Sequence, residues 1–427
     1  MIVLMAHNRY RIDGGENSMW EATARLLSQN GHQVRLFTRD SREVRGLGGK
    51  LNAFKQGIYS AEAKEEFSSI LESEKPDIVH VGNLYPLISP SVLVACRQHG
   101  VPVVMRCPNY RLTCPTGLHY RKQAICELCA GGREYWCVLK NCRGNLFESL
   151  AYATRIAVAR KRGFFRENVT AYVPPSEFVK RRLVRAGFAE ERIIVLPNMI
   201  CVPGCANDAS EGKYVAYAGR ITPEKGVEIL LAAAAKSGLP VRLAGDYSAM
   251  RRLVTGAPPN AEFLGGLNSD QLVEFYRNAR FLVIPSRCFE PFGIVTIEAM
   301  SYGLPVIASK IGGLPEIVED GVTGFLFEPG NAEDLASKMR PLWEKPGLCQ
   351  DMGRAGRDKV IREYSADRYY ERLMAVYARA IQICQGSTVR GAVGTDITGA
   401  APPAPSTKPS TPQSAITKWW WRSIRRL

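Results

Sequence analysis

Three features that mark other protein classes are missing from this sequence of 427 residues. The N-terminal stretch MIVLMAHNRYRIDGG lacks the basic start, the long apolar core and the small-residue cleavage site of a signal peptide. No run of about 18 apolar residues occurs, so a transmembrane helix is not expected. The motifs of RNA- and DNA-binding modules are also missing, so nucleic acid is not an expected partner. We therefore expect a cytoplasmic protein.

The net charge of +15 favours anionic partners, among them nucleotides, phospholipid surfaces and acidic glycans. The tail that follows Gln385 contributes five of these charges, from six basic residues and one aspartate. Its first part is rich in Gly, Ala, Pro, Ser and Thr, which is typical of a disordered linker. Its end, KWWWRSIRRL at residues 418–427, combines basic side chains with three indoles, which favour lipid headgroups. We predict peripheral contact with the inner face of a membrane, with a protein partner or a disordered end as alternatives.

Apolar runs alternate with amphipathic helical patterns in both halves of the chain. In the first half, strands are predicted at residues 1–6, 33–38, 78–81, 101–105 and 170–173. In the second half, they are predicted at residues 214–218, 241–244, 261–264, 281–285, 305–308 and 324–327. Such alternation indicates parallel sheets covered by helices on both faces. The fold class is therefore α/β, with two doubly wound, Rossmann-like domains.

The domain boundaries follow from breaks in this pattern. The first domain is predicted over residues 1–197, with a cysteine-rich insertion at about 107–145. The second domain is predicted over residues 198–365, after a loop-like stretch. A helix at 366–385 is expected to return to the first domain, and residues 386–427 form the linker and basic tail.

Two glutamates, Glu290 and Glu298, bracket the sequence Pro-Phe-Gly-Ile-Val-Thr-Ile. A buried strand is predicted before them and a helix over residues 294–302, so Glu290 should lie in a loop and Glu298 in the helix. Ligands of open α/β sheets bind at the carboxyl ends of strands, where free helix N-terminal N–H groups point at them. This place therefore suits a polyhydroxylated, phosphate-bearing ligand, which is a sugar nucleotide.

A second motif, GRITPEKG at residues 219–226, follows a predicted strand and opens the next helix. Its two cations, Arg220 and Lys225, should face the same cleft as Glu290. Two cations there would stabilise the charge that a diphosphate leaving group develops as its glycosidic bond breaks. The alternative interpretation is a solvated loop at the start of a helix.

These motifs resemble the signatures of retaining, nucleotide-sugar-dependent glycosyltransferases of family 4, the glycosyl transferases group 1 type. Further segments carry the same resemblance: GGLPEIVEDGVTGFLF at residues 312–327, Gly14-Gly15, KPDIVHV, and VPVVMRCPNYRLTCP at residues 101–115. The resemblance covers about residues 1–385. It implies the GT-B fold, in which two Rossmann-like domains face a cleft.

The resemblance also implies roles for individual residues. Glu290, Arg220 and Lys225 would be catalytic, with Glu290 on the donor sugar and the two cations on the diphosphate. Glu298 would hold the ribose hydroxyls. The other donor-binding residues would be Gly14, Gly15, Asn109, Gly265, Phe292, Gly293, Ile294 and Thr296. Ser176 and Asn198 are further cleft candidates.

One position departs from the family pattern. The family usually has a histidine before Asn-Tyr-Arg, facing the donor sugar, where this chain has Pro108. A proline donates no hydrogen bond from its side chain or its backbone. Either a neighbour such as Asn109 or Arg111 takes over, or the enzyme is slow, altered in donor or inactive. His7 and His80 are possible substitutes, although histidines near strand ends are more often structural.

Six cysteines fall between residues 107 and 142. The two-residue gap between Cys126 and Cys129 suits two thiolates on one tetrahedral ion. Cys114 and Cys142 could complete four ligands, with Cys137 or His119 as substitutes. Because the cytosol disfavours disulfides, a structural zinc is favoured over bridges, and free buried thiols are the other alternative. The transfer reaction itself should need no cofactor.

The sequence thus predicts a retaining glycosyltransferase. It would move a sugar from a UDP- or GDP-sugar to a glycan or lipid-linked acceptor, in cell-envelope or exopolysaccharide assembly. Two alternatives stay open: a nucleotide-sugar epimerase of the same fold, and a catalytically impaired scaffold that binds partners.

Overall fold

The computed structural model describes residues 1–11 and 14–389. The described part of the first domain contains seven strands and eight α-helices. In chain order these are β1 (Ile2–Arg9), α1 (Gly15–Gln29), β2 (Gln33–Asp40), α2 (Gly46–Ile58), α3 (Ala61–Glu74), β3 (Ile78–Val81), α4 (Ser91–Gln98), β4 (Val103–Arg106), β5 (Tyr120–Arg121), β6 (Ala124–Ile125), α5 (Tyr135–Leu139), α6 (Leu146–Lys161), α7 (Phe164–Asn168), β7 (Ala171–Val173) and α8 (Glu177–Arg185).

Five of these strands form a parallel sheet in the order β2-β1-β3-β4-β7. Strands β3 and β4 are buried along their whole length, because helices cover both faces of the sheet. The short strands β5 and β6 form a separate antiparallel hairpin inside the cysteine-rich insertion.

The second domain begins after the connecting segment and contains six strands. Its elements are β8 (Tyr214–Ala218), α9 (Val227–Ser237), β9 (Val241–Ala244), α10 (Arg251–Thr255), β10 (Ala261–Gly265), α11 (Ser269–Arg277), β11 (Ala279–Ile284), α12 (Ile294–Ser301), β12 (Val306–Ser309), α13 (Leu314–Ile317), β13 (Gly324–Phe327), α14 (Ala332–Glu344) and α15 (Pro346–Tyr364). They form one parallel sheet in the order β10-β9-β8-β11-β12-β13.

Both sheets agree with the alternation seen in the sequence. Four predicted strands have the observed bounds, and the others differ by one to three residues. Each sheet reverses its strand order at one place, between β1 and β3 in the first domain and between β8 and β11 in the second. Ligands of doubly wound sheets bind in the crevice at such a reversal.

The last described helix, α16 (Ala366–Val389), packs on the first domain. Three of its tyrosine hydroxyls make hydrogen bonds there: Tyr369 with Thr23, Tyr370 with His32, and Tyr377 with His80. The helix continues past residue 385, so the first four residues of the predicted linker are helical. Extending an existing helix costs far less than nucleating one, which is why composition alone misplaced this end.

Within the described residues, no helix is both long enough and apolar enough to cross a bilayer. The rest of the predicted linker and the basic Trp-rich segment at 418–427 lie outside the described residues, so membrane contact by this segment stays a prediction.

Candidate active site

The predicted catalytic residues lie at the strand-order reversal of the second sheet. The GRITPEKG loop follows β8, and the loop that carries Glu290 follows β11, which is the neighbouring strand. Because consecutive connections leave β8 and β11 in opposite directions, their loops diverge and leave a crevice between them. Arg220, Lys225 and Glu290 meet in this crevice.

Lys225 and Glu290 form a hydrogen-bonded ion pair. Lys225 Nζ donates to Glu290 Oε1 at 2.5 Å, and Ser286 Oγ donates to the same oxygen. Burial is the largest influence and acts to raise the pKa of Glu290, but the attraction of Lys225 and the two hydrogen bonds outweigh it and lower that pKa. Burial likewise acts against the charge on Lys225, yet Glu290 raises its pKa. Both groups are therefore charged at neutral pH.

Arg220 adds a positive charge to this pair. Its side chain is exposed, and its charge acts to lower the pKa of both Lys225 and Glu290. Since the ion pair is neutral overall, Arg220 is the cation left to attract an anion, partly offset by Glu224 of the same loop. An entering anion such as a diphosphate is attracted to such a site.

The backbone of Glu290 is fixed by the Gly-Gly turn that precedes α13. Gly313 N donates to Glu290 O at 2.7 Å. Gly312 has a φ of +66°, and a Cβ there would lie 2.3 Å from Glu290 O. Only glycine allows this turn to approach the Glu290 loop so closely.

Glu298 is buried on α12, and only one of its carboxylate oxygens is bonded. Tyr276 donates to Oε2 at 2.9 Å, whereas Oε1 has no hydrogen-bond partner among the described residues. The neighbouring Thr296 Oγ1 is buried and unpartnered in the same way. Burial raises the pKa of Glu298 to about 7, against a smaller opposite effect of Tyr276. Unpaired buried oxygens of this kind are expected where a ligand supplies the missing hydroxyl donors.

The other predicted donor-binding residues of the second domain lie along the same sheet edge. Phe292 and Gly293 precede α12, and Ile294 is its first residue. The first N–H groups of a helix have no partner within it, so this helix start can donate to a ligand. Gly265 ends β10, and its carbonyl accepts from Gly245 N at 2.8 Å.

The glycines of the first domain approach the same helix start. Gly14 is the N-cap of α1, and Gly15 is the first residue of that helix. A Cβ on Gly15 would lie 3.0 Å from Ile294 Cδ1. The loop after β1 therefore meets the start of α12 across the cleft, which brings the two domains' predicted residues together.

Both polar atoms of the Asn109 side chain already make hydrogen bonds within the first domain. Its Nδ2 donates to Glu16 Oε2 at 3.0 Å, and its Oδ1 accepts from Arg111 N at 3.0 Å. The other oxygen of Glu16 accepts from the Tyr10 hydroxyl at 2.6 Å. Asn109 thus supports α1, and replacing the family's histidine would require it to give up these bonds.

Ser176 and Asn198, the further cleft candidates, make hydrogen bonds that hold parts of the structure together. Ser176 Oγ donates to Pro291 O at 2.6 Å, which joins the start of α8 to the Glu290 loop. Asn198 Oδ1 accepts from the buried Arg106 Nη2 at 2.5 Å. Glu316 of α13 accepts from the backbone N–H groups of Glu177 and Phe178 at 2.8 and 2.7 Å, so it caps α8 from the other domain.

His7 and His80 are both fully buried in the first domain. His7 stacks on Trp20 with ring centroids 4.9 Å apart, and its Nδ1 accepts from Asn83 N. His80 Nδ1 shares a 2.7 Å hydrogen bond with Tyr377, and burial lowers its pKa to about 3. Both therefore have the structural role rather than substituting for the missing histidine.

The cysteines of the insertion lie near one another as unbridged thiols. Burial, followed by the neighbouring Cys114, Cys142 and Cys126, raises the pKa of Cys129 to about 12. Within the described residues, however, no group of three or more His, Cys, Asp or Glu side chains is arranged as a metal site. A structural zinc on these four cysteines stays a prediction, which measuring the metal content of the purified protein would test.

Several residues of the site carried no sequence signal strong enough to single them out. Tyr276, Ser286 and Glu16 are ordinary helix or loop residues in sequence, and only the folded chain brings them to Glu298, Glu290 and Asn109. Glu316 lay inside a family-like motif, but its role in capping α8 depends on the arrangement of the two domains.

Two family descriptions match the chain. Residues 14–199 match the glycosyl transferase 4-like domain, and residues 206–359 match glycosyl transferases group 1. Similar curated proteins include a sulfoquinovosyl transferase of Arabidopsis thaliana, 39% identical over 36% of this chain and 31% of its own length. A D-inositol 3-phosphate glycosyltransferase of Segniliparus rotundus is 36% identical over 41% of each chain. These matches span about a third to two fifths of the relatives' lengths.

Solved structures resemble the whole described fold at low sequence identity. Anabaena HepE in complex with UDP and glucose aligns with a TM-score of 0.61 and 18% identity, over 88% of this chain and 99% of that one. The sucrose-phosphate synthase of Thermosynechococcus elongatus aligns with a TM-score of 0.64 and 20% identity, over 91% and 98%. These likenesses confirm the GT-B fold. With the two family matches, they identify the chain as a member of the group 1, family 4 type of glycosyltransferase.

Proposed function

We propose that the protein is a retaining glycosyltransferase that uses a UDP- or GDP-sugar. The acceptor would be a glycan or a lipid-linked molecule in cell-envelope or exopolysaccharide assembly. The observation that carries the proposal is the grouping of Arg220, Lys225 and Glu290 at the strand-order reversal. The names of similar proteins support it, since they include a sulfoquinovosyl transferase, a D-inositol 3-phosphate glycosyltransferase and a lipopolysaccharide 1,2-N-acetylglucosaminetransferase. The UDP and glucose bound to HepE support a nucleotide-sugar donor.

In this proposal each part of the crevice has a task. Glu298 Oε1 accepts hydrogen bonds from the ribose hydroxyls, which favour its ionised form. Arg220 and Lys225 contact the diphosphate, together with the N–H groups at the start of α12. Glu290, held by Lys225 and Ser286, contacts the donor sugar at the reacting face.

The chemical step follows from these contacts. The bond between the anomeric carbon and the diphosphate oxygen breaks, and the acceptor oxygen forms its bond on the same face. The electron pair of the broken bond leaves with the diphosphate, whose oxygen takes the acceptor's proton. The two cations stabilise the diphosphate more strongly as it leaves than in the bound donor, which lowers the barrier.

A thermal-shift panel of UDP-, GDP- and ADP-sugars on the full chain tests the donor site. We expect one nucleotide class to raise the Tm of the wild type. Lys225→Ala should abolish most of this effect and lower turnover about 10²-fold. Lys236→Ala, an exposed lysine on α9 paired with Glu333, is the matched control and should behave as wild type. Proton NMR of the product should show that the anomeric configuration of the donor is kept.

Two results would overturn the proposal. If no nucleotide sugar stabilises a protein shown to be folded, the donor assignment fails. If the product has the opposite anomeric configuration, the transferase stands and the retaining mechanism does not.

The second candidate function is a scaffold without catalytic activity. It is favoured by Pro108 and by the commitment of Asn109 to Glu16, which leave no histidine-like donor at this position. A scaffold of this kind would bind a nucleotide sugar but would neither transfer nor hydrolyse it. Measuring release of the nucleotide from the stabilising donor, with and without candidate acceptors, separates the two functions.

A further inference from the structure

A cavity of about 280 Å³ in the first domain lies at the carboxyl edge of its sheet. Its walls come from the loops that follow β1 to β4, where Tyr10, Ser41, Tyr85 and Arg111 lie. The facing sides of α2 and α6 enclose it further. The predicted donor crevice lies on the other side of the loop after β1.

The cavity is strongly basic. Of its described lining residues, five are cationic and one is acidic: Arg11, Lys50, Arg111, Arg143 and Arg155 against Glu148. Glu148 is shared between Lys50 at 3.6 Å and Arg143 at 3.7 Å. Because this one carboxylate faces two cations, it leaves most of the positive charge in the cavity uncompensated.

Arg155 has a side-chain hydrogen bond with Tyr152, but two of its other donor atoms lack partners. It is only 7% exposed, and its Nε and Nη2 atoms have no hydrogen-bond partner among the described residues. Its guanidinium carbon lies 3.7 Å from the ring centroid of Tyr152 and 4.4 Å from that of Tyr85. The Tyr85 hydroxyl is likewise buried and unpartnered. Buried donors without partners are costly, so their presence side by side in a cavity points to a ligand that accepts from them.

The electrostatics of the neighbouring tyrosine agree with this interpretation. Burial is the largest influence on Tyr152 and acts to raise its pKa. The charges of Arg155, Arg143 and Arg111 outweigh burial and lower that pKa. These three cations therefore favour the charged form of an acidic group beside them.

The cavity is connected to the donor crevice through a short chain of contacts. Arg111 lies over the Tyr10 ring at 4.6 Å, and the Tyr10 hydroxyl donates to Glu16. Glu16 follows Gly15, whose backbone meets Ile294 of the donor domain. This chain of contacts therefore joins the cavity to the start of α12 in the donor domain.

We propose that this cavity binds a phosphate or diphosphate group of the acceptor, with Arg155 and the Tyr85 hydroxyl as its buried donors. The inference rests on the proposed transferase function and names the class of its acceptor. Five cations and a forked guanidinium suit a multiply charged phosphate better than a neutral sugar. The phosphate belongs either to a soluble sugar or polyol phosphate or to the headgroup of a membrane lipid. The exposed Leu146 and Leu150 on α6 make the lipid a source worth testing.

The test compares the Tm of four full-length proteins in inorganic pyrophosphate and in chloride at equal ionic strength. They are the wild type, Arg155→Met, the exposed Arg162→Met just after α6, and Arg220→Ala. We expect pyrophosphate to raise the Tm of the wild type and of Arg162→Met by about 2 °C or more. Because pyrophosphate can also enter the donor crevice, Arg155→Met should lose only the part of this rise that comes from the cavity, and it should keep its response to the nucleotide sugar. Arg220→Ala should lose the nucleotide response and keep the part of the pyrophosphate rise that depends on Arg155.

These crossed responses separate the two proposals. If Arg155→Met responds to pyrophosphate as the wild type does, the cavity proposal is wrong whatever the nucleotides do. If no nucleotide stabilises the wild type while the effect that depends on Arg155 persists, the transferase proposal fails instead. Arg155→Lys keeps the positive charge but lacks the planar set of N–H donors, so it should retain part of the response to pyrophosphate. It provides a second variant if the Arg155→Met protein does not fold.

Further ligands identify the chemical class and its source. If glucuronate raises the Tm as much as phosphate esters do, the phosphate assignment is wrong and the cavity binds a carboxylate. Protection by glycerol 1-phosphate that depends on Arg155 supports a soluble acceptor. A lipid acceptor is supported if the protein sediments with phosphatidylglycerol vesicles and not with phosphatidylcholine vesicles. Arg155→Met should then weaken this sedimentation, and Arg162→Met should not.

Discussion

Replacing Glu298 by glutamine should make the protein more stable at pH 8 and should weaken its binding of the donor. Burial raises the pKa of this carboxyl to about 7 from an ordinary value of 4.5. Between these values the folded protein keeps a proton that the unfolded chain has already released. Stability therefore falls as pH rises from 4.5 to 7 and stays lower above pH 7. The gap corresponds to about 3 kcal/mol of lost stability at pH 8.

Glutamine cannot ionise, and its carbonyl oxygen can still accept from Tyr276. Glu298→Gln should therefore match the wild type near pH 5 and exceed its free energy of unfolding at pH 8 by about 3 kcal/mol. Urea titrations at the two pH values measure this difference. Because the two domains can unfold separately, the transition that moves with the variant is that of the second domain. Glu274→Gln, an exposed change on the neighbouring helix α11, is the control and should have little effect at either pH.

The same variant should lose donor binding. A carboxylate that accepts a hydroxyl hydrogen bond contributes about 1.5 to 3 kcal/mol, so affinity for the stabilising nucleotide should fall roughly 10- to 100-fold. A Glu298→Gln protein whose stability relative to wild type is the same at pH 5 and pH 8 would contradict the raised pKa of this carboxyl. A variant that binds the nucleotide as tightly as the wild type would contradict its contact with the donor.

Three further predictions follow from the packing. Lys225→Met should destabilise the protein by about 3 kcal/mol, because it leaves the Glu290 carboxylate buried without its cation, and Glu290→Gln should cost less, because 25% of the Lys225 side chain is exposed; urea unfolding of the double variant should show a smaller loss than the sum of the two. Gly312→Ala should displace the Glu290 backbone and lower turnover about 10²-fold in a steady-state assay, whereas Gly321→Ala, with a similar φ but open space around it, should leave turnover near wild type. Tyr377→Phe should cost about 1 to 3 kcal/mol in thermal unfolding, because the buried imidazole on β3 loses its partner; an unchanged Tm would contradict this account of how α16 is held.

Much of the fold could be predicted because it depends on local sequence patterns. Parallel strands buried on both faces appear in sequence as short apolar runs, and the runs at Tyr214–Ala218 and Gly324–Phe327 were predicted with their observed bounds. Strand ends were less certain, as β1 shows. It runs three residues beyond the predicted end because His7 and Asn8 are buried against Asn17 and Asn83, a long-range environment that no local pattern reveals.

The site was only partly readable. Glu290, Lys225 and Arg220 come together as expected, because two motifs that follow neighbouring strands necessarily meet at one sheet edge. The sequence did not reveal that Glu298 has one oxygen occupied by Tyr276, because this contact joins two separate helices. The basic cavity was missed for a similar reason. Its cations come from five separate stretches, and Arg155 looks in sequence like any other arginine of a basic helix.

The position of Pro108 has a consequence for how the acceptor is held. Asn109 keeps its side chain on Glu16, and Arg111 turns to Tyr10 and to the cavity, so neither faces the donor sugar in place of a histidine. A transferase without that contact must orient the reacting sugar by other means. An acceptor fixed through its phosphate on Arg155 and Arg111 supplies such orientation from the opposite side of the reaction, since holding both reactants in place lowers the barrier without a further donor. The basic cavity would then compensate for the missing histidine by positioning the acceptor. An Arg155→Met enzyme should therefore lose transfer to its acceptor and still hydrolyse its donor slowly.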